Sequence, residues 1–234
     1  MARLRQLKEK AHLFCLLPFT LTALRRVAAI GFFASLSGCN FALPIMYLIQ
    51  GPPAINAKFD ELRGDKVVVV CDADFPVLIN FNSVDSQLAQ KLGQHLHDAY
   101  PIRKIDVVSS GEVASWLDEH DDWTVAEIGK AFDADYVLYV NVESFSVFEE
   151  HSSTMYRGRA TVAIRVHDMS KDGNVVYDAT QESKYPIGQP VSIGDIRRPV
   201  FEQQYIDRLA DEIGRHFYPY WPGDETANYG IIGE

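Results

Sequence analysis

Hydrophobic positions change their spacing several times along the chain, and each change predicts an element. Lys66–Cys71 (KVVVVC) is an unbroken, largely β-branched run, the pattern of a strand covered on both faces. Val84, Leu88, Leu92 and Leu96 recur every fourth residue and lay one apolar stripe on a helix. Ser83 is its expected N-cap, and Pro101 ends it after Tyr100. A polar loop is expected between Cys71 and Ser83, and Lys104–Val108 reads as a short second strand. Ser109-Ser110-Gly111-Glu112 and Thr124-Val125-Ala126-Glu127 both fit the capping box, opening helices that run through Leu117 and Phe132. Asp135–Val147 is a long strand that begins apolar and then alternates. Tyr156–Asp168 alternates Ala160, Val162, Ile164 and Val166 with Thr161, Ala163, Arg165 and His167, one face inward and one outward. Lys171–Asn174 is a turn into a return strand, Val175–Tyr185. Pro186–Asp195 reads as a loop and Ile196–Tyr218 as a closing helix. The irregular tail Phe217–Pro222 is expected to cover the core.

The order β-α-β-α-α-β-β-β-α begins with alternation, which favours parallel strands joined by crossovers, and ends in hairpins. It predicts the α/β class: a single mixed-sheet α/β sandwich domain over residues 58–222, followed by a C-terminal tail at 223–234. Ahead of it, 39–57 reads as an apolar tether broken by Gly51-Pro52-Pro53.

The first 38 residues have a different character. Val27–Leu36 is a short apolar run directly behind Arg25-Arg26, and it ends in Leu36-Ser37-Gly38-Cys39. A basic region, an apolar stretch and small residues before a cut are the parts of a secretory signal. The last four residues resemble the bacterial lipobox. In that chemistry a diacylglyceryl group alkylates the Cys39 thiol and a peptidase cuts before it. The cut needs small side chains at Ser37 and Gly38 and an apolar one at Leu36. Residues 1–38 are therefore expected to be a lipoprotein signal sequence and Cys39 the lipidated residue. An uncleaved membrane anchor is the other reading, and both place the body at a membrane. Residues 1–24, with the apolar run Leu13–Leu24, are either ahead of the true start or an extra membrane stretch.

Removing the leader sharpens the charge. The whole chain has 22 basic and 32 acidic residues, net −10. The leader holds six of the basic residues (Arg3, Arg5, Lys8, Lys10, Arg25, Arg26) and only Glu9 among the acids, so the mature chain is at −15. Phosphate backbones would repel such a body, so no nucleic-acid partner is expected. Of three cysteines, Cys15 and Cys39 belong to the leader and the lipid site. Cys71 is left without a disulfide partner and reads as a small buried hydrophobe.

The element order together with the lipobox resembles an envelope group that shares an α/β domain. The group includes the curli secretion lipoprotein CsgG, the N-terminal domain of TolB and the LpoB-like lipoprotein activators of penicillin-binding proteins. The residues that carry the likeness are the opening strand Lys66–Cys71, the stretch Ile128–Leu138 with its Ala134-Asp135-Tyr136-Val137-Leu138, and the strands Tyr156–Asp168 and Val175–Tyr185. The resemblance spans residues 60–218 and implies a non-catalytic protein that binds another envelope component. The connections Met169–Asn174 and Phe148–Met155 are too short to hold the membrane hairpins of a curli-type channel, so a secretion-channel subunit is the weaker reading.

Candidate chemistry is sparse. His95 and His97 stand two apart on a helix, so they face different ways and do not form the i, i+4 pair of a zinc helix. Asp72-Ala73-Asp74, following the first strand, is the one candidate cation or enzymatic site, and it would need further oxygen ligands. Glu119-His120-Asp121-Asp122 reads as a solvated turn. No phosphate loop, nucleophile elbow or HExxH is present. The expectation is a cell-envelope lipoprotein facing the periplasm or exterior, held to the membrane through Cys39. It would have an envelope protein as partner, with no catalytic residue, cofactor or metal.

Overall fold

In a computed structural model, residues 53–100 and 104–221 are described. All but Pro53 belong to the unit Ala54–Glu234, one of two into which the chain divides. Three long strands set the frame: β1 (Lys66–Ala73), β3 (Tyr136–Phe148) and β4 (Met155–Asp168). The short β2 (Asp106–Val107), the long β5 (Asn174–Tyr185) and the two-residue β6 (Val191–Ser192) complete a six-stranded mixed sheet. Its order is β2-β1-β3-β4-β5, with β6 beside the start of β4. β1 runs parallel to β2 and β3, while β3–β4, β4–β5 and β4–β6 are antiparallel.

Among the described residues five α-helices accompany the sheet: α1 (Phe75–Asn80), α2 (Val84–Asp98), α3 (Ser110–Asp118), α4 (Val125–Ala131) and α5 (Arg198–Gly214). On one face, α2 and α5 pack together and bury the larger core. Leu88, Leu92, Leu96, Phe201, Leu209 and Ile213 are all at 0 % exposure there, over Leu138, Val140, Val162 and Ile164. The fourfold spacing of α2 is thus its buried stripe, and truncating one of these leucines to Ala removes contacts worth about 2–5 kcal/mol. On the other face, α3 and α4 close a smaller core made by Val68, Val70 and Val137 with Val113 and Ile128. Every valine from Val67 to Val70 is buried, as a strand covered on both sides requires.

The α/β class, mixed sheet and closing helix agree with the sequence pattern; several local readings do not. The polar loop after β1 contains α1, and the loop Pro186–Asp195 contains β6. The closing helix spans Arg198–Gly214, because Pro199 sets its first turn and the chain leaves it to bury Phe217 and Tyr218. Of the two expected capping boxes only Thr124–Glu127 forms, with each residue's side chain bound to the other's backbone N–H. Neither Ser109 nor Ser83 caps through its side chain. The Ser83 hydroxyl instead accepts from the Gln87 side chain at 2.8 Å. The β4–β5 turn closes through a 3-10 turn (Met169–Lys171) and two left-handed residues, Asp172 (φ 57°) and Gly173 (φ 73°).

Candidate functional site

Three concave places bring chemistry-bearing residues together. The first lies beyond the C-terminal end of β1, where open α/β sheets commonly hold ligands. A cavity of about 630 Å³ opens there between α2 and α3, lined by Cys71, Asp85, Ser86, Ser109 and Ser110. Cys71 is half-buried. Burial, then the carboxylates of Asp85 and Asp72, push its thiol well above the usual range, so it stays protonated and unreactive. Asp72 and Asp74 do not converge on a common point. Asp72 accepts from the Tyr139 hydroxyl (3.3 Å) and from the Ala73 N–H (2.8 Å), while Asp74 accepts from the Asn141 amide (3.0 Å). Among the described residues no group of three or more His, Cys, Asp or Glu side chains is placed to hold a metal ion. His95 turns to α5, where its Nε2 meets Asp207 at 3.3 Å beside Lys91. The hydrogen bond from His95 is the first cause of the lowered Asp207 carboxyl pKa.

The second place is a groove of about 350 Å³ beside β5, between Gln181, Lys184 and Ile187 on one side and the C-terminal half of α5 on the other. The entering chain closes one wall. Ile55 and Tyr220 form an antiparallel bridge (N···O 2.7 and 3.0 Å), and the His216 carbonyl accepts from the N–H groups of Lys58 and Phe59. The floor is charged: Arg208 and Arg215 are only 3 % and 8 % exposed. Arg208 donates to Glu212 at 2.8 Å, and Asp211 receives Arg215 at 2.7 Å and the Tyr218 hydroxyl at 2.9 Å. Helical spacings of three and four put these charges on one stripe, where mutual pairing offsets the cost of desolvating them. The Glu212 Oε2 atom is buried without a hydrogen-bond partner among the described residues. β5 itself is bonded on one side only among those residues, so its outer row of backbone groups borders the groove. Ring burial, then Lys58, lower the His216 pKa to about 4, so its imidazole is neutral at neutral pH.

The third place is a cleft of about 440 Å³ on the opposite face, between α3 and α4, lined by Trp116, His120, Trp123 and Lys130. Trp116 and His120 stack with ring centroids 4.0 Å apart and an interplanar angle of 10°. The turn Glu119–Asp122 is exposed, as its polarity suggests, yet His120 and Asp122 also form the rim of this cleft.

Leu36, Ser37, Gly38 and Cys39, expected to form a lipobox, and the tail 223–234 lie outside the described residues. Among the described residues no helix is long and apolar enough to cross a membrane. The tail aromatics divide: Phe217 and Tyr218 are buried in the core, and Trp221 is 51 % exposed. Neither the groove nor the cleft was evident beforehand. Each joins segments far apart in the chain or residues that look like ordinary core cover. Trp116 and Trp123 have no role in the sequence pattern above, and their spacing of seven residues is the one local signal for the cleft.

No family model and no curated protein matches the chain. Among solved structures it is similar to a PelC dodecamer from Paraburkholderia phytofirmans, with 15% identity, 71% of this chain and 93% of that one covered, and a TM-score of 0.43. It is similar to lipoprotein GNA1162 from Neisseria meningitidis, with 11% identity, 64% and 97% covered, and a TM-score of 0.40. It is also similar to the LpoB C-terminal domain from Escherichia coli, with 12% identity, 60% and 93% covered, and a TM-score of 0.28. Structural neighbours thus include bacterial lipoproteins, as partial likenesses of the chain path.

Proposed function

We propose that the chain is a lipid-anchored, non-catalytic cell-envelope protein whose α/β domain binds another envelope component along β5 and its groove. Residues 1–38 are the signal, Cys39 carries the lipid, and 39–57 link it to the domain at 58–222. The anchoring rests on Leu36-Ser37-Gly38-Cys39 behind Arg25-Arg26. Two acyl chains on one cysteine hold a protein stably where one would not.

The observation that carries the binding role is the placement of the groove. The segment leading back to Cys39 enters the domain as one wall of it, and β5, which pairs with a strand on one side only among the described residues, borders another. Native proteins ordinarily cover or shorten such an edge, and here it is twelve residues long. A buried Glu212 oxygen without a hydrogen-bond donor among the described residues adds a polar demand that an incoming chain can meet.

The test has two arms. Cys39→Ala should abolish labelling by a fatty-acid analogue and leave an unprocessed precursor; equal labelling of the mutant ends the lipoprotein reading. A photoreactive residue placed at Lys184 should give one discrete crosslinked adduct in the native envelope, and one at Ser170, away from the groove, should give none. Equal patterns from both positions would refute the groove as the contact.

A further inference from the structure

We propose that the cleft between α3 and α4 is a saccharide-binding site. It lies on the opposite face of the sheet from the β5 groove and does not depend on the partner-binding reading. Its walls are rigid aromatic surfaces. Trp116 is half-buried, meets Phe132 edge-on at 6.4 Å, and carries His120 stacked on its ring. That stack is fixed by a 2.7 Å hydrogen bond between the His120 Nδ1 and the Trp116 carbonyl. Trp123, also in the lining, is held against Tyr139 with centroids 6.2 Å apart. It immediately precedes Thr124, the cap of α4, and Ile128 follows at the position that such a residue commonly packs against. Both belong to the smaller core, so the indole is positioned before any ligand arrives. Surfaces set in advance lose little freedom on binding.

Two of the polar groups around these rings are uncommitted. Glu127 is used by the capping box, but the side chains of Asp122 and Lys130 have no hydrogen-bond or ion-pair partner among the described residues, and both line the cleft. Two indoles thus share the lining of an opening with a carboxylate and an ammonium that are unpaired among the described residues.

The ligand class follows from these groups. The face of an aromatic ring is electron-rich and attracts the weakly positive C–H face of a pyranose. Asp122 can accept from sugar hydroxyls and Lys130 can donate to them, so both charges are satisfied by one polyhydroxylated neutral ring. A quaternary ammonium would also favour the indole faces and the carboxylates of Asp122 and Glu127, but the ammonium group offers Lys130 no acceptor, and choline is therefore a competing arm of the test. A nucleotide would stack as well, but its phosphate meets Asp122, Glu127 and an acidic chain. A cleft of this size with apolar walls and few polar groups is in the range of small-ligand sites.

The experiment titrates the full chain with glucan-, chitin- and galactan-type tetrasaccharides, choline chloride and uridine monophosphate, read by calorimetry and tryptophan emission. Two of the three tryptophans line the cleft, so emission reports mainly on it. At least one tetrasaccharide should bind saturably with a Kd of ~1 mM or tighter. Trp123→Ala should weaken it by about tenfold or more, and Asp122→Asn and Lys130→Met by several-fold without moving the melting temperature. Trp123→Phe, which keeps an aromatic core residue, should retain part of the affinity if the first variant unfolds. Saturable binding of choline or the nucleotide in place of every saccharide would overturn the proposal. So would saccharide binding that survives both Asp122→Asn and Trp123→Phe unchanged, or no heat with any tetrasaccharide at tens of millimolar.

Discussion

Protonation of His216 should loosen the joint between the entering chain and the domain. The ring is 3 % exposed and fully bonded as the neutral form. Its Nδ1 accepts from the Tyr177 hydroxyl at 2.6 Å and its Nε2 donates to the Gln181 side chain at 3.0 Å. The same residue's carbonyl receives the Lys58 and Phe59 N–H groups, so any adjustment at His216 is felt where the chain enters. Burial, then Lys58, take its pKa from 6.5 to about 4. Between those two values the unfolded chain binds a proton that the folded one refuses, so stability must fall as pH falls. The full difference corresponds to at most roughly 3 kcal/mol, of which roughly 2 would be lost by pH 5. The ring borders an open groove, and solvent there reduces the figure to about 1–2 kcal/mol. For a domain of this size that is a drop of roughly 3–6 °C in Tm. The assay is urea or thermal unfolding of the chain and of His216→Gln from pH 7.5 to pH 5. The variant lacks the titrating ring, so its pH slope should be shallower by this amount whatever its absolute stability. Identical slopes would refute the reasoning, because they would mean that His216 titrates alike in both states.

Other substitutions test the packing. Gly158→Ala would put a Cβ 2.4 Å from two atoms of the Tyr205 ring, which is at 0 % exposure and stacked between Phe145 and Tyr185; with no room to yield, the domain should lose about 3 kcal/mol in denaturant unfolding. Thr124→Ala should cost about 1 kcal/mol, whereas Ser109→Ala, at a cap where no side-chain bond forms, should be near neutral; equal losses measured by urea titration would contradict the two cap geometries.

What the sequence determined by itself is what depends on neighbours along the chain. The fourfold spacing from Val84 to Leu96 made one helix face apolar, and that face is buried. The run of valines at 67–70 has the pattern expected of a strand covered twice, and it lies between β2 and β3 with helices on both faces. The resemblance of Leu36-Ser37-Gly38-Cys39 to a lipobox is likewise local, read from four consecutive residues, and it stands as a proposal for the Cys39→Ala labelling test. Tertiary structure decided whatever required two distant segments to meet. The capping pattern occurs at both Ser109 and Thr124, but a cap also needs the backbone to enter the helix at the right angle, and the surrounding packing allowed that only at Thr124. Phe75–Asn80, expected as part of a polar loop, is a short helix with Pro76 in its first turn, and it buries Val77 while Phe75 and Ile79 stay exposed. The groove joins Ile55 to Tyr220, and the cleft sets two half-buried tryptophans around an opening. Spacing shows which face of an element is apolar; whether that face ends up against a neighbour or beside an opening depends on how the layers close over it.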